Sequence, residues 1–251
     1  VIGEDGLPVT DMNGKAIMEY CIRGVFGPTK DSYWSAVDYD QLQLRIFAYW
    51  SKEPSLIQAF EQGFDFHTYM AMRIFETDSP TSLQRRRAKN VNFGYIFGAG
   101  PAKIDSTAGV PGLTARVSKM FPNVQESIDK TIEQINKKGY VMTMGGYRLS
   151  VPRYKKYAGV NYIVQGTEGE IVKRALVNID SYLESIEYNT ELILQIHDEF
   201  LFEFSKTLKY KPVIRNIKKI MEEAGNYYGV ICKAKPDLIK DNWASAESLA
   251  V

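Results

Sequence analysis

What this sequence has little of narrows it first. Its 251 residues hold two cysteines, Cys21 and Cys232, too far apart for a zinc or redox motif. Both are expected to be free and buried. Two histidines, His67 and His197, leave no His/Cys cluster for structural zinc. No apolar run approaches the ~18 residues of a membrane helix, and no signal peptide opens the chain, so a reducing, cytoplasmic compartment is expected. Val1 rather than a methionine comes first, which reads as a fragment or a processed product. The net charge of +1 says nothing globally, so any nucleic-acid argument must rest on local clusters. Hydrophobic residues at 45% and charged ones at 24% are those of an ordinary globular protein, one large domain or two lobes.

Among what is present, Leu192-Ile193-Leu194-Gln195-Ile196-His197-Asp198-Glu199-Phe200-Leu201-Phe202-Glu203-Phe204 organises the rest. Two apolar runs rich in β-formers flank the triplet His197-Asp198-Glu199, which predicts a hairpin with charge at its turn. A polar turn is ordinary by itself. A second apolar run, Trp34-Ser35-Ala36-Val37-Asp38, also ends in an acid. If the two strands are neighbours, Asp38 and Asp198 meet at one sheet edge. Two carboxylates there repel each other unless a divalent cation lies between them.

Along the chain, residues 1–20 read as turns. Past Asp38, Leu42, Leu44, Ile46, Phe47 and Trp50 recur with helical spacing, so a rigid strand runs into a helix N-terminus. Leu56–Phe60 and His67–Phe75 predict two further helices, with Asp65 as N-cap of the second. In the next segment Arg85, Lys89, Phe93 and Phe97 stand four apart, drifting only ~40° per step around a helix. Cations at one end of the stripe and aromatics at the other suit a nucleoside triphosphate: charges for phosphates, a flat face for base and sugar. Gly98 to Gly112 ends that helix in a Gly/Pro/Ala-rich run, and Ala115–Met120 and Gln125–Lys137 are again helical. A short hairpin spans 140–152, with a basic patch from Arg148 to Lys156. A long helix is expected from about Asn161 to Leu183, and an amphipathic one after the charged hairpin. Val230–Ala234 is a strand candidate, and 235–251 reads as a polar tail.

In this order the pieces resemble family A DNA polymerases of the bacterial polymerase I type. Asp38-Tyr39-Asp40-Gln41-Leu42-Gln43-Leu44-Arg45 resembles motif A, D-Y-S-Q-I-E-L-R. Arg85 to Gly98 resembles motif B, and Gln195-Ile196-His197-Asp198-Glu199 motif C. Asp65-Phe66-His67-Thr68 is similar to the family's D-x-H-T, Asn161 to Gly166 to N-A-P-x-Q-G, and Asn242-Trp243 to its C-terminal N-W.

The resemblance implies an α+β right-hand fold: an antiparallel palm sheet with helices on one face, and mostly helical fingers. The palm would occupy 1–50 and 155–251, and the fingers 51–154 with the motif B helix at about 81–98. It further implies a primer 3′-hydroxyl extended with dNTPs on a DNA template, in a bacterial or phage-infected cell. Asp38, Asp198 and the Tyr39 carbonyl would hold two Mg2+ ions about 3.5–4 Å apart. Gln41, Gln43, His67, Arg85, Lys89, Phe93 and Phe97 would surround the nucleotide, with Lys89 neutralising the leaving group. Glu199 would support the metal site, His197 would touch the primer end, and Arg148, Asn161 and Gln165 would track the duplex.

Departures sharpen these expectations. Gln43 stands where the family commonly has the Glu that excludes a ribose 2′-hydroxyl, and Phe97 where it has a Tyr, so the bond between those two cannot form. Gln nearly matches Glu in volume, so steric exclusion should survive. Phe93 in place of Tyr implies poor acceptance of dideoxynucleotides. Tyr157 occupies the place of a DNA-contacting Arg, leaving Lys155 or Lys156 to substitute. The thumb motifs and exonuclease domains of the family are not in this sequence, so a longer chain or a partner would supply them. A two-metal nuclease, a single-subunit RNA polymerase and a catalytically silent DNA-binding subunit are the rival readings.

Overall fold

The computed structural model describes residues 22–96, 98–186, 190–207 and 209–251. The expected turns of 1–20, Cys21 and Phe97 lie outside the described residues. Strand β1 (Ser32–Tyr39) gives way after two residues to α1 (Leu42–Ser51), as the change from alternating to helical spacing predicts. α2 (Pro54–Glu61) opens on a proline, whose missing N–H matters least in a first turn. α3 (Phe66–Phe75) and α4 (Ser82–Ile96) follow.

The Gly/Pro/Ala-rich run is not a simple loop. It contains α5 (Pro101–Ala108), with Pro101 in the first turn and Gly109 closing the end at φ 69°. Asp105 then accepts from the backbone N–H groups of Gly112 and Thr114, both at 2.8 Å, and so sets the turn into α6 (Leu113–Met120). Beyond lie α7 (Pro122–Lys138), the hairpin β2 (Tyr140–Met142) and β3 (Arg148–Ser150), and α8 (Gly159–Ser185). The charged hairpin is β4 (Thr190–Ile196) and β5 (Glu199–Ser205), followed by α9 (Tyr210–Ala224).

The end of the chain differs from the sequence reading. The strand is β6 (Ala234–Ile239), it meets Val230–Ala234 only at its last residue, and β7 (Glu247–Ser248) pairs with it. Backbone carbonyls just before β6 have other partners. Lys233 accepts from Asp40 N–H at 2.7 Å and Ile231 from the Arg45 guanidinium at 3.3 Å, so these groups are not free to join a ladder.

The chain divides into two compact units. The first, a sheet unit, comprises Val1–Asp38, Leu183–Lys218 and Lys235–Val251. Its sheet runs β4-β5-β1-β6-β7, with β1/β5, β4/β5 and β6/β7 antiparallel. On one face Phe200, Phe202 and Phe204 are fully buried beside Val37 and Ser35, and Tyr210 stacks on Phe204 at 4.7 Å. Burial of each ring contributes about 1.5–3 kcal/mol. On the other face Ala36, Leu201, Ile239 and Trp243 form a smaller core.

The second, a helical unit, comprises Tyr39–Tyr182 and Lys219–Ala234. Its centre contains a buried arginine, Arg45, whose Nε donates to the Asp40 carbonyl at 2.8 Å and whose guanidinium lies 4.6 Å from the centroid of the Phe60 ring. The buried Tyr39 ring ends in a hydroxyl that donates to the Met221 carbonyl at 2.7 Å. Among the described residues no helix is long and apolar enough to cross a membrane.

Candidate active site

The sheet unit carries the acidic residues. β4 and β5 pair up to Ile196↔Glu199, so His197 and Asp198 form a two-residue turn. Such turns need a positive φ, which glycine or asparagine usually supplies. Here His197 takes it, at φ 53°, at a cost of roughly 1 kcal/mol for a residue with a Cβ. The Gln195 side-chain amide donates to the His197 carbonyl and braces the turn. β1 lies against β5 in a register that sets Asp38 opposite Glu199. Residues directly opposite share a face, so Asp38 and Glu199 are neighbours and Asp198 is one step along the backbone.

Burial disfavours negative charge at Asp198 and Glu199. Burial pushes the Asp198 carboxyl above its ordinary range, against the opposing pull of its own N–H and of His197. Burial also raises Glu199; Arg23 at 3.7 Å opposes this, while Asp237 and Asp198 reinforce it. Glu199 Oε1 is buried with no hydrogen-bond partner. Asp237, on β6, is itself raised by burial. It was hidden in the expected polar tail, where nothing local marks it. Among the described residues no group of three His, Cys, Asp or Glu side chains is arranged to hold a metal.

The helical unit carries the cations. Asp65 caps α3, accepting from the Thr68 N–H at 2.8 Å and the Thr68 hydroxyl at 2.7 Å. It also receives a two-pronged bond from Arg85 on α4, Nε to Oδ1 at 3.0 Å and NH2 to Oδ2 at 2.9 Å. Gln41 Nε2 reaches the same carboxylate at 3.4 Å. Burial opposes the charge on Asp65, but the hydrogen bonds from Arg85 and Thr68 win, and its carboxyl falls to about 2. Sequence reasoning found Asp65 as a cap and missed it as the anchor of Arg85.

Arg85 and Lys89 are exposed and Phe93 half-buried, while Ala88, Val91, Asn92 and Ile96 face the core. Lys89 has no ion-pair partner among the described residues. Phe93 lies 5.8 Å from the buried His67 ring, centroid to centroid. Burial pushes His67 down to about 4; Asp65 opposes this, and Arg85 and Lys89 add to it. Gln43 donates to Glu168 of α8 at 2.9 Å. Asn161 and Gln165 stand one turn apart on α8. The β2–β3 hairpin is tied to that helix by Thr143, which donates to Glu170 at 2.8 Å, and by the Met144 N–H, which donates to Thr167 at 3.0 Å. Gly166 leaves room for Leu149 and Thr143 that any Cβ would fill. Arg148 on β3 stacks on Tyr140 at 3.9 Å. Tyr157 is exposed with Lys156 against its ring.

Comparison with known proteins gives one answer. The model of DNA polymerase family A matches residues 6–245. DNA polymerase I of Streptococcus pneumoniae is 32% identical over 222 residues, 81% of this chain and 25% of that protein. The thermostable DNA polymerase I of Thermus aquaticus is 32% identical over 230 residues, 84% of this chain and 27% of that one. The chain therefore spans about a quarter of the length of the curated relatives it matches. A solved structure of the POL domain of Pol1 from M. smegmatis, in complex with DNA primer-template and dNTP, superposes with a TM-score of 0.77. It is 26% identical, and the match covers 90% of this chain and 42% of that one. The fold is α+β, and the chain belongs to DNA polymerase family A.

Proposed function

We propose that this chain carries the catalytic centre of a DNA-templated DNA polymerase that extends a primer 3′-hydroxyl with dNTPs. The observation that carries the proposal is the register of Asp38 opposite Glu199, with Asp198 at the adjoining turn. A half-buried carboxyl with a raised pKa is a ligand in want of a cation, so the donor set fits Mg2+. Asp38 and Asp198 would hold it, with the carbonyl of the next residue, Tyr39. Two Mg2+ ions bound there would make the primer hydroxyl easier to deprotonate and offset charge on the triphosphate.

The reaction joins the 3′-oxygen to the α-phosphorus and breaks its bond to the bridging oxygen, releasing pyrophosphate. Side chains contribute mainly by positioning and charge. Arg85, already oriented by Asp65, meets phosphate oxygens, and Lys89 neutralises charge arriving on the pyrophosphate. His67 donates to the phosphates, and Gln41 and Phe93 line the nucleotide. Gln43, held by Glu168, crowds the sugar where a 2′-hydroxyl would sit. Glu199 shapes the acidic edge, and His197 at the turn meets the primer end. Arg148, Asn161 and Gln165 follow the duplex without reading its sequence.

Primer extension with dNTPs and with NTPs, with Asp198→Ala as control, tests this. Template-directed dNTP addition abolished by the substitution is the expected result. NTP addition at the same rate would favour an RNA polymerase, cleavage without addition a nuclease, and DNA binding alone a silent subunit.

A further inference from the structure

We propose that Asn92 fixes His67 as a neutral imidazole protonated at Nε2, making it a directed hydrogen-bond donor to the phosphates of the incoming nucleotide. This rests on the polymerase reading for its ligand, though not for its geometry. Asn92 is 4% exposed and His67 6%, and the Asn92 Nδ2 lies 3.1 Å from His67 Nδ1. An amide nitrogen can only donate, so Nδ1 accepts and carries no proton. Burial disfavours the charged ring; Asp65 at the N-terminus of α3 opposes this, and Arg85 and Lys89 on α4 add to it. The ring therefore stays uncharged near neutrality. A neutral imidazole has one N–H, which must then be at Nε2.

The arrangement has a chemical point. A phosphate oxygen accepts hydrogen bonds only, so an imidazole of the other tautomer would meet it lone pair to lone pair. Free in water, the ring would change charge between pH 6 and 7. Held as it is, it presents the same donor throughout. The opposite orientation of the Asn92 amide would place Oδ1 against Nδ1–H and invert the conclusion, so the amide decides what His67 can do. In the orientation found, Asn92 Oδ1 is buried with no hydrogen-bond partner. Asn92 is thus a positioning residue acting through His67.

With only two histidines in the chain, 15N-histidine labelling makes the tautomer directly readable, His67→Gln assigning the signals. At neutral pH His67 should show a pyrrole-type Nε2 and a pyridine-type Nδ1, and dTTP should shift Nε2 more than Nδ1. A protonated Nδ1, or an averaged or cationic ring, would overturn the inference. Asn92→Leu should release the tautomer and raise the KM for dNTPs about tenfold, the worth of one hydrogen bond to a charged group. In a His67→Gln background the same change should do little further; additive losses would mean that Asn92 acts by packing alone. A chain that shows Nε2–H shifted by dTTP but never extends a primer would remove the proposed function and leave this inference. Nδ1–H in a chain that does extend primers would remove only the inference.

Discussion

Asp65 and Asp198 are the same side chain in two units, and their surroundings treat them in opposite ways. Asp65, in the helical unit, accepts from Arg85 and Thr68, and its carboxyl is held down at about 2. Asp198, in the sheet unit, is half-buried beside Glu199, and its carboxyl is pushed up. One carboxylate is satisfied by Arg85 and Thr68; the other, disfavoured by burial, fits the cation proposed there. On the proposed function, stability and activity are aligned at Asp65 and opposed at Asp198.

The largest effect that would break this comparison is on catalysis. Asp198→Asn should lower primer extension by at least roughly 10³-fold, as loss of a metal ligand does. It should also leave the melting temperature unchanged or slightly raised, because a half-buried carboxyl whose charge burial disfavours becomes a neutral amide. A clear fall in melting temperature would show that the acidic edge is a structural ion cluster instead. Asp38→Asn should have a similar effect on activity.

Asp65→Asn should do the reverse in proportion. Activity should drop about 10²-fold, through misplacement of Arg85 rather than loss of a reacting group. Stability should fall by only about 0.2–1 kcal/mol, since Asn still caps α3 and only the partly exposed ion pair with Arg85 is lost. Chemical denaturation of both variants reads the contrast directly: equal stability losses at the two aspartates would erase it.

The two units should also differ in their response to acid. His67 takes up a proton at about 4 in the folded chain, against an ordinary 6.5. Between those values the unfolded chain binds a proton that the folded one does not, so stability falls as pH drops from 6.5 to 4. Asp65 stays ionised to about 2, so its stabilising contribution, full above its ordinary 3.8, is lost as pH falls from there towards 2. Raised carboxyls such as Asp198, Glu199 and Asp237 have the opposite sign: their folded forms keep protons longer, and stability declines as pH rises through their titration. Urea unfolding from pH 7 to 4 should show a slope that His67→Gln reduces by up to one proton. An unchanged slope would place the His67 effect elsewhere.

How much of this could be read beforehand follows from distance along the chain. The hairpin, β1 and their shared acidic end were legible because alternation over a few residues fixes both strand and face, and register then follows from matching apolar faces. The Arg85–Lys89–Phe93 stripe was legible for the same local reason, in helical period. α5 is not legible locally because Gly100, Pro101 and Gly109 suit a loop as well as they suit the two ends of a helix. Asp237, Asn92 and Glu168 were missed because each acquires its meaning from a residue far away in sequence. Nothing near Asn92 says that it faces His67, 25 positions earlier. The swap of Glu for Gln43 was visible, but its partner was not, because Glu168 lies 125 residues on.

That last pair gives the smallest expected effect. Gln43 donates from Nε2 to Glu168 Oε2 at 2.9 Å, and both side chains are partly buried. A charged acceptor holds an amide more firmly than a neutral one, so Glu168 keeps Gln43 in one rotamer, beside the sugar on the proposed function. Glu168→Ala leaves the bulk of Gln43 in place and removes only its restraint. Discrimination against ribonucleotides, measured as the ratio of kcat/KM for dNTP and NTP, should fall by about fivefold to tenfold, the worth of one charge-assisted bond. Gln43→Ala, which removes the bulk itself, should cost more. The comparison with Asp65 would then hold in miniature, since both acids work by fixing a neighbour that meets the nucleotide. If Glu168→Ala left the ratio unchanged while Gln43→Ala lowered it, volume alone would exclude the hydroxyl and Glu168 would be a structural acid only.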